Sequence, residues 1–375
     1  MTTSRPVTLQ QVADQAQVSR SAASFALSGR PGVSEATRSK VLSIAAELGY
    51  SPNRTAQNLR SSRTGIVAVY SPKDVSALSY YMEATFGIVD EAEASGHTVT
   101  IVPHTATAAE HLRADGIIVL DPTLGDPIVP RLLELGLPVI SGEQMPQKLS
   151  SPMPPATTKV AGTPEMVSTP AVVGTSAVAG TVTSDHIAST REVLDAFAAA
   201  GARAPAIIAP EERMSWSMAV EDTYQQWCAE NEVEARVETA SLEGMAEATR
   251  QATKRLLDSG DVDAILALTD GSVLTVVTSA ANHGRRLGAD LLVAAAVDSP
   301  VLGYMDPPVT AVDLRPREFG RACMNLLSKA LETSGPPADS SHSLDSPREV
   351  QLAEVVDTKV IHRASTAGPL HLKGH

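Results

Sequence analysis

Arg20, Ser21, Ser24, Phe25 and Ser28 fall on the outer face of one short amphipathic segment, a set that suits base edges better than any bond-making reaction. In a major groove an arginine pairs with the guanine edge, and hydroxyls accept from or donate to several bases. The inner face of the same segment is Ala22, Ala23, Ala26 and Leu27, small enough for a second short helix to cross closely at roughly 90 to 120°. Reaction chemistry finds no comparable set. The chain has no GxSxG elbow, no HExxH, no GxxxxGK[ST] and no GxGxxG after a strand. Its 9 histidines are scattered, and His186 reads as a contact at a helix N-terminus. Cys228 and Cys323 lack metal-ligand spacing, so buried free thiols are expected, with no disulfide framework and no cofactor.

The elements that must position the outer face are legible from their caps. Thr8 with Gln11 forms a capping box, and Leu9, Val12, Ala13 and Ala16 make one apolar stripe on a two-turn helix. Gln17 and Val18 turn the chain, and Ser19 opens the second helix. Ser34 caps a third, with Val41, Ile44, Ala45 and Leu48 facing inward and Gly49 as its stop. Tyr50 to Arg54 lead into Thr55–Arg60, too short to hold as a helix in water and expected to order only on DNA. Residues 1–63 hold 8 Lys/Arg against 3 Asp/Glu, a net of +5 within a chain of −13, which leaves −18 for the rest. A basic start followed by an acidic body is the charge footprint of nucleic-acid binding.

At 375 residues with 43% hydrophobic and only 3% aromatic content, the chain can build two or three domains with aliphatic cores. No apolar run of about 18 residues is present, and Met1 to Thr8 lacks a signal peptide's apolar core. The expected setting is the cytoplasm, with no membrane partner. From Arg63 onward short apolar runs such as GIVAVY, GIIVL, AIIA, AILAL and LLVAAAV alternate with helical patterns, which predicts two α/β lobes with parallel sheets. Residues 147–183, rich in Pro, Ser, Thr and small apolars, read as a low-complexity insertion between the lobes.

The strings VTLQQVADQAQVS, GVSEATRSKV and ELGYSPNRTAQNLR resemble the DNA-binding headpiece of the lactose-repressor (LacI/GalR) family of bacterial transcription regulators. That resemblance implies base reading by Arg20, Ser21 and Phe25, and phosphate contacts from Ser19, Ser24, Ser34, Thr37, Tyr50 and Asn53. It places Leu59 on the leucine wedged into the minor groove at the operator centre. Leu9, Ser28, Arg54, Ala56, Gln57 and Arg60 complete the expected DNA-binding set. Gln17 replaces a usual glycine at a turn that favours φ > 0, and Ala22 and Phe25 replace the commoner Thr and Arg.

Further on, VTSDHIAS, DAILALTDGSVL, LGADLLVAAAVD and DPPVTAVDLRPREFG resemble, in order and spacing, the family's effector domain, shaped like a periplasmic sugar-binding protein. The implied fold is an all-α helix-turn-helix headpiece followed by an α/β two-lobe, periplasmic-binding-protein-like effector domain. The implied effector residues are Tyr80, Tyr81, Asp185, Thr269, Asp270 and Asp298, the last as acceptor for a ligand hydroxyl. Val220 stands where the family commonly has an arginine, so its clamp on the ligand is missing. The expected boundaries are 1–50 for the DNA-binding domain, 51–63 for hinge and linker, 64–362 for the effector and dimerisation domain, and 363–375 for a tail. The expected partners are a palindromic double-stranded operator, a sugar or other metabolite, and a second copy of the chain. A doubly wound enzyme and a stand-alone small-molecule-binding protein are the alternatives.

Overall fold

The computed structural model describes residues 7–27, 31–50, 63–73, 78–105, 107–146, 178–333 and 352–368. They form two compact units divided after Gly65.

The first unit holds α1 (Leu9–Ala16), α2 (Arg20–Leu27) and α3 (Glu35–Leu48). The caps fall where the residue types ask for them. Thr8 accepts from the Gln11 amide while the Gln11 side chain accepts from the Thr8 amide, and Gly49 ends α3 at φ 64°. Gln17 ends α1 in the left-handed region at φ 56°, a conformation that glycine would take without the clash of a Cβ. Val12, Ala13, Ala16, Ala23, Ala26, Val41 and Ala45 make the core, small enough that three short helices meet almost backbone to backbone.

The second unit has two six-stranded sheets. Lobe one contains β1 (Ile66–Tyr70), β2 (Thr98–Ile101), β3 (Gly116–Leu120), β4 (Val139–Gly142), β5 (Gly180–Ser184) and β11 (Leu352–Val356), in the order β11-β5-β4-β3-β1-β2 and all parallel. Its helices are α4 (Ser79–Ser95) and α5 (Val129–Leu133). Lobe two contains β6 (Pro205–Pro210), β7 (Val237–Ala240), β8 (Ala264–Ala267), β9 (Leu292–Ala295), β10 (Thr310–Asp313) and β12 (Lys359–Ile361), in the order β12-β10-β9-β8-β6-β7 with only β12 antiparallel. Its helices are α6 (His186–Ala199), α7 (Ser215–Glu230), α8 (Met245–Asp258) and α9 (Ser272–Asn282). The chain then returns through α10 (Pro316–Thr333), which packs on α4 and the lobe-one sheet. Buried strands such as GIIVL and LVAA are apolar throughout because helices cover both faces of a parallel sheet.

Two glycines fix how α4 meets α10. A Cβ on Gly320 would overlap the carbonyl oxygen of Ala84, and one on Gly87 would overlap that of Arg317, so the two backbones touch where they cross.

Two expected boundaries are corrected. Residues 180–183 are not linker: they lie in β5, buried between β4 and β11, because GTVTS supplies β-branched residues to a strand slot between two others. The packed body also runs past residue 362. Ser365 donates to the Val293 carbonyl at 2.7 Å and accepts from the Thr310 amide at 2.9 Å, so residues 363–366 are part of lobe two. Of the rest of the expected insertion, residues 147–177 lie outside the described residues.

Candidate functional site

In the first unit, Ser19, Arg20, Ser21 and Phe25 are exposed on the outer face of α2, with Ser24 half-buried beside them. Ser19 Oγ accepts from the Ala22 amide at 3.1 Å, and Ser34 Oγ accepts from the Thr37 amide at 3.2 Å while sharing a hydrogen bond with the Thr37 hydroxyl at 2.8 Å. The expected phosphate-contacting hydroxyls thus sit at the N-termini of α2 and α3, where free amides and the helix dipole favour an anion. Leu9 and Tyr50 are half-buried against the headpiece core. Sequence reasoning missed Arg38, whose guanidinium donates to the carbonyls of Phe25 and Ala26 at 3.4 and 3.1 Å and ties α3 to the end of α2. Ser28, Asn53, Arg54, Ala56, Gln57, Leu59 and Arg60 lie outside the described residues.

In the second unit the strand ends of both lobes open on one cavity. Its place is that of ligands in doubly wound sheets, beyond the carboxyl ends of the strands. Tyr80 and Tyr81, at the start of α4, line it with Thr269 and Asp270, which follow β8. Asp270 Oδ2 accepts from Ser79 Oγ at 2.8 Å and from the Tyr80 amide at 3.1 Å, so this lobe-two carboxylate holds the N-terminus of lobe one's α4. Near the same rim the Leu124 amide donates to the Arg213 carbonyl at 3.2 Å.

The strongest polar groups of the cavity were not foreseen. Asp121 directly follows β3 and Glu143 directly follows β4, both in the left-handed region at φ 43° and 71°. Each such non-glycine residue costs on the order of 1–3 kcal/mol, a cost typical of positions held for function. Tyr81 donates its hydroxyl to Asp121 Oδ2. Glu143 Oε1 accepts from the Ser184 amide at 2.9 Å and pairs with His186 Nε2 at 3.1 Å. Met214 and Trp216 add an apolar wall, with the Trp216 and His186 rings 5.8 Å apart.

Burial, reinforced by the nearby Glu143 carboxylate, pushes the Asp121 carboxyl up to about 7. Burial also pushes the Tyr80 and Tyr81 hydroxyls above their ordinary range, again reinforced by Asp121. For His186 burial opposes the charge, but the Glu143 carboxylate and its hydrogen bond outweigh it, so the imidazole is held above its usual value.

Two expectations are corrected here. Asp298 does not line the cavity: its carboxylate is gripped by Arg363 at 2.8 and 2.9 Å, and both acceptor oxygens are occupied. Asp185 is the N-cap of α6, accepting from the Ala188 amide at 3.0 Å, and it is the next residue, His186, that reaches the cavity as more than a helix-end contact. Val220 is buried in the core and does not line the cavity, in keeping with the expected absence of a clamp from that position. Position offered a signal for the missed pair: each is the first residue past a fully buried parallel strand.

Among the described residues no helix is long and apolar enough to cross a membrane, and no cluster could hold a metal ion. Cys228 and Cys323 are free and buried.

A helix-turn-helix headpiece on a two-lobed, ligand-cleft body defines a class of DNA-binding regulator whose control is built into the same chain. The headpiece matches the family "Bacterial regulatory proteins, lacI family" over residues 8–53, and the body matches a periplasmic binding protein-like domain over residues 194–352. The chain belongs to the LacI/GalR family. The regulator CelR of Thermobifida fusca is 27% identical over 336 residues, covering 86% of this chain and 91% of CelR. The maltose regulon regulatory protein MalI of Escherichia coli is 36% identical over 102 residues, 27% of this chain and 29% of MalI. Two solved structures share the fold. A CelR–cellobiose complex has a TM-score of 0.63 at 24% identity, covering 96% of this chain and all of that one. A lac repressor dimer bound to operator and an anti-inducer has a TM-score of 0.64 at 21% identity, covering 96% and 99%.

Proposed function

We propose that this transcriptional regulator is a repressor that binds a palindromic operator as a homodimer and responds to a sugar-like effector held between its lobes. The carrying observation is the outer face of α2, where Arg20, Ser21 and Phe25 stand exposed above an alanine core that does not need them for packing. In this reading those three side chains read bases. Ser19, Ser24, Ser34, Thr37 and Tyr50 hold phosphates, Asn53 and Arg54 flank them, and Leu59 wedges the operator centre. Two copies place their half-sites about one helical turn, roughly 34 to 36 Å, apart. A dimer also accounts for Met82, Phe86 and Val89, which expose apolar surface along one side of α4.

Tyr80, Tyr81, Thr269 and Asp270 contribute to the effector cavity, and the ligand acts through its different affinity for open and closed lobes. A sugar-like class is supported by the cellobiose in the structure of CelR and by a cavity that offers both acceptors and aromatic faces. The protein works in the bacterial cytoplasm and catalyses no reaction. Footprinting of the full chain on the DNA upstream of its own gene, with and without cellobiose or maltose, tests the reading. A symmetric protected site whose occupancy changes with sugar is expected; no protection at low salt, where non-specific contacts are strongest, would sink it.

A further inference from the structure

The charge balance of the cavity points to a narrower class of ligand. Its described lining residues include three carboxylates, Asp121, Glu143 and Asp270, and one basic side chain, His186, with no lysine or arginine. Glu143 is answered by His186 and the Ser184 amide, and Asp270 by Ser79 and the Tyr80 amide. Asp121 is answered less completely. Tyr81 donates to its Oδ2 and the Trp216 indole N–H faces the carboxylate, while Oδ1 is out of water with no donor in good hydrogen-bond geometry, on a residue only 4% exposed.

A buried carboxylate oxygen left bare costs both its lost hydrogen bond and its uncompensated charge. A ligand hydroxyl would supply the first and leave the second. A protonated amine supplies both, and the aromatic walls of Tyr80, Tyr81 and Trp216 favour a cation in the same space. Resting on the effector-cavity reading above, we propose that the effector carries a protonated primary amine, as in an amino sugar, whose ammonium group donates to Asp121 Oδ1. The raised proton affinity of Asp121 fits this: without a cationic ligand the site takes a proton instead. The groups facing that carboxyl are Tyr81, Glu143, His186 and Trp216, and none of them carries a spare cation.

Titration calorimetry on the full-length protein at pH 7 tests the inference with matched compounds: D-glucosamine against D-glucose and N-acetyl-D-glucosamine, and D-galactosamine against D-galactose. In at least one set the amine is expected to bind about tenfold more tightly than its neutral counterparts, and Asp121→Asn is expected to erase most of that ratio. The wild-type ratio decides the matter by itself if the variant does not fold. Equal or tighter binding of the neutral sugars, or binding of cellobiose or maltose alone, overturns the charged-effector inference and leaves the effector cavity standing. An amine preference that survives in folded Asp121→Asn overturns it as well, because the ligand then sits elsewhere. Absence of binding by every compound, with no effect on operator occupancy, removes both readings.

Discussion

In the headpiece, the side chains that face outward from α2 stay in water until a ligand covers them; in the cavity, Asp121, Glu143 and His186 are withdrawn from water beforehand. The first arrangement costs folding little, since Arg20 and Ser21 keep their hydration and the core beneath is alanine and valine. The second stores cost in the folded state: a bare carboxylate oxygen and two non-glycine residues at positive φ. A surface that waits in water can be altered with little effect on the fold, whereas a change in a preformed buried site moves stability in one direction or the other.

The largest effect expected from that contrast concerns Asp121. Its folded-state proton affinity lies above that of the unfolded chain. Between about pH 4 and 7 the folded protein therefore keeps a proton that the unfolded chain releases, and stability falls as pH rises through that window. Asp121→Asn removes this dependence and should favour the unliganded protein more at pH 8 than at pH 4, by an amount on the order of a few kcal/mol, read from urea midpoints at the two pH values. A wild-type midpoint unaffected by the substitution at pH 8 would mean the carboxylate is not desolvated. His186, with its proton affinity also raised, contributes stability below about pH 6.5 that is lost at higher pH, so its slope has the same sign.

Gly320→Val should destabilise the second unit by roughly 3 kcal/mol, since the added carbons meet the Ala84 carbonyl, and leave the headpiece transition in place. Thermal unfolding followed separately in the two units checks it; a loss confined to the headpiece would contradict the packing account. Arg20→Ala should cost about 1–3 kcal/mol of operator binding per half-site, with preference relaxed at one or two base pairs, and change stability by less than about 0.5 kcal/mol. Equal losses on all sequences would instead make Arg20 a phosphate contact. The smallest effect belongs to Gln17→Gly, which relieves the left-handed turn and should stabilise the headpiece by about 0.5–1 kcal/mol; a destabilised headpiece would show that Gln17 holds this conformation without strain.

The same contrast explains what could be read from residues alone. The headpiece is built from local rules. The Thr8–Gln11 box, the Ser34 cap, the Gly49 stop and the turn at Gln17 each involve residues at most a few positions apart, and each appears as expected. Strands of the body were legible where apolar runs stand alone, as in Gly116–Leu120, which the structure matches at both ends. β5 was not, because Gly180–Ser184 continues the composition of the small, polar stretch before it and gains its strand only from neighbours on β4 and β11. The cavity draws Asp121, Glu143, His186 and Trp216 from four separate segments, so no spacing along the chain announces them. Asp298 misled for the same reason: the strand expected to end on it stops at Ala295, and Arg363, 65 residues away, takes its carboxylate.

The glycine crossing of α4 and α10 carries a mechanical corollary. Tyr80 and Tyr81 at the head of α4 touch the cavity, and Met82, Phe86 and Val89 expose apolar surface along its flank, with the Arg317 guanidinium over the Phe86 ring. With Gly87 and Gly320 pressing main chain on main chain, no side-chain slack remains to soak up a shift of that helix. A ligand that presses on the two tyrosines therefore presses on a helix with little room to yield at that crossing.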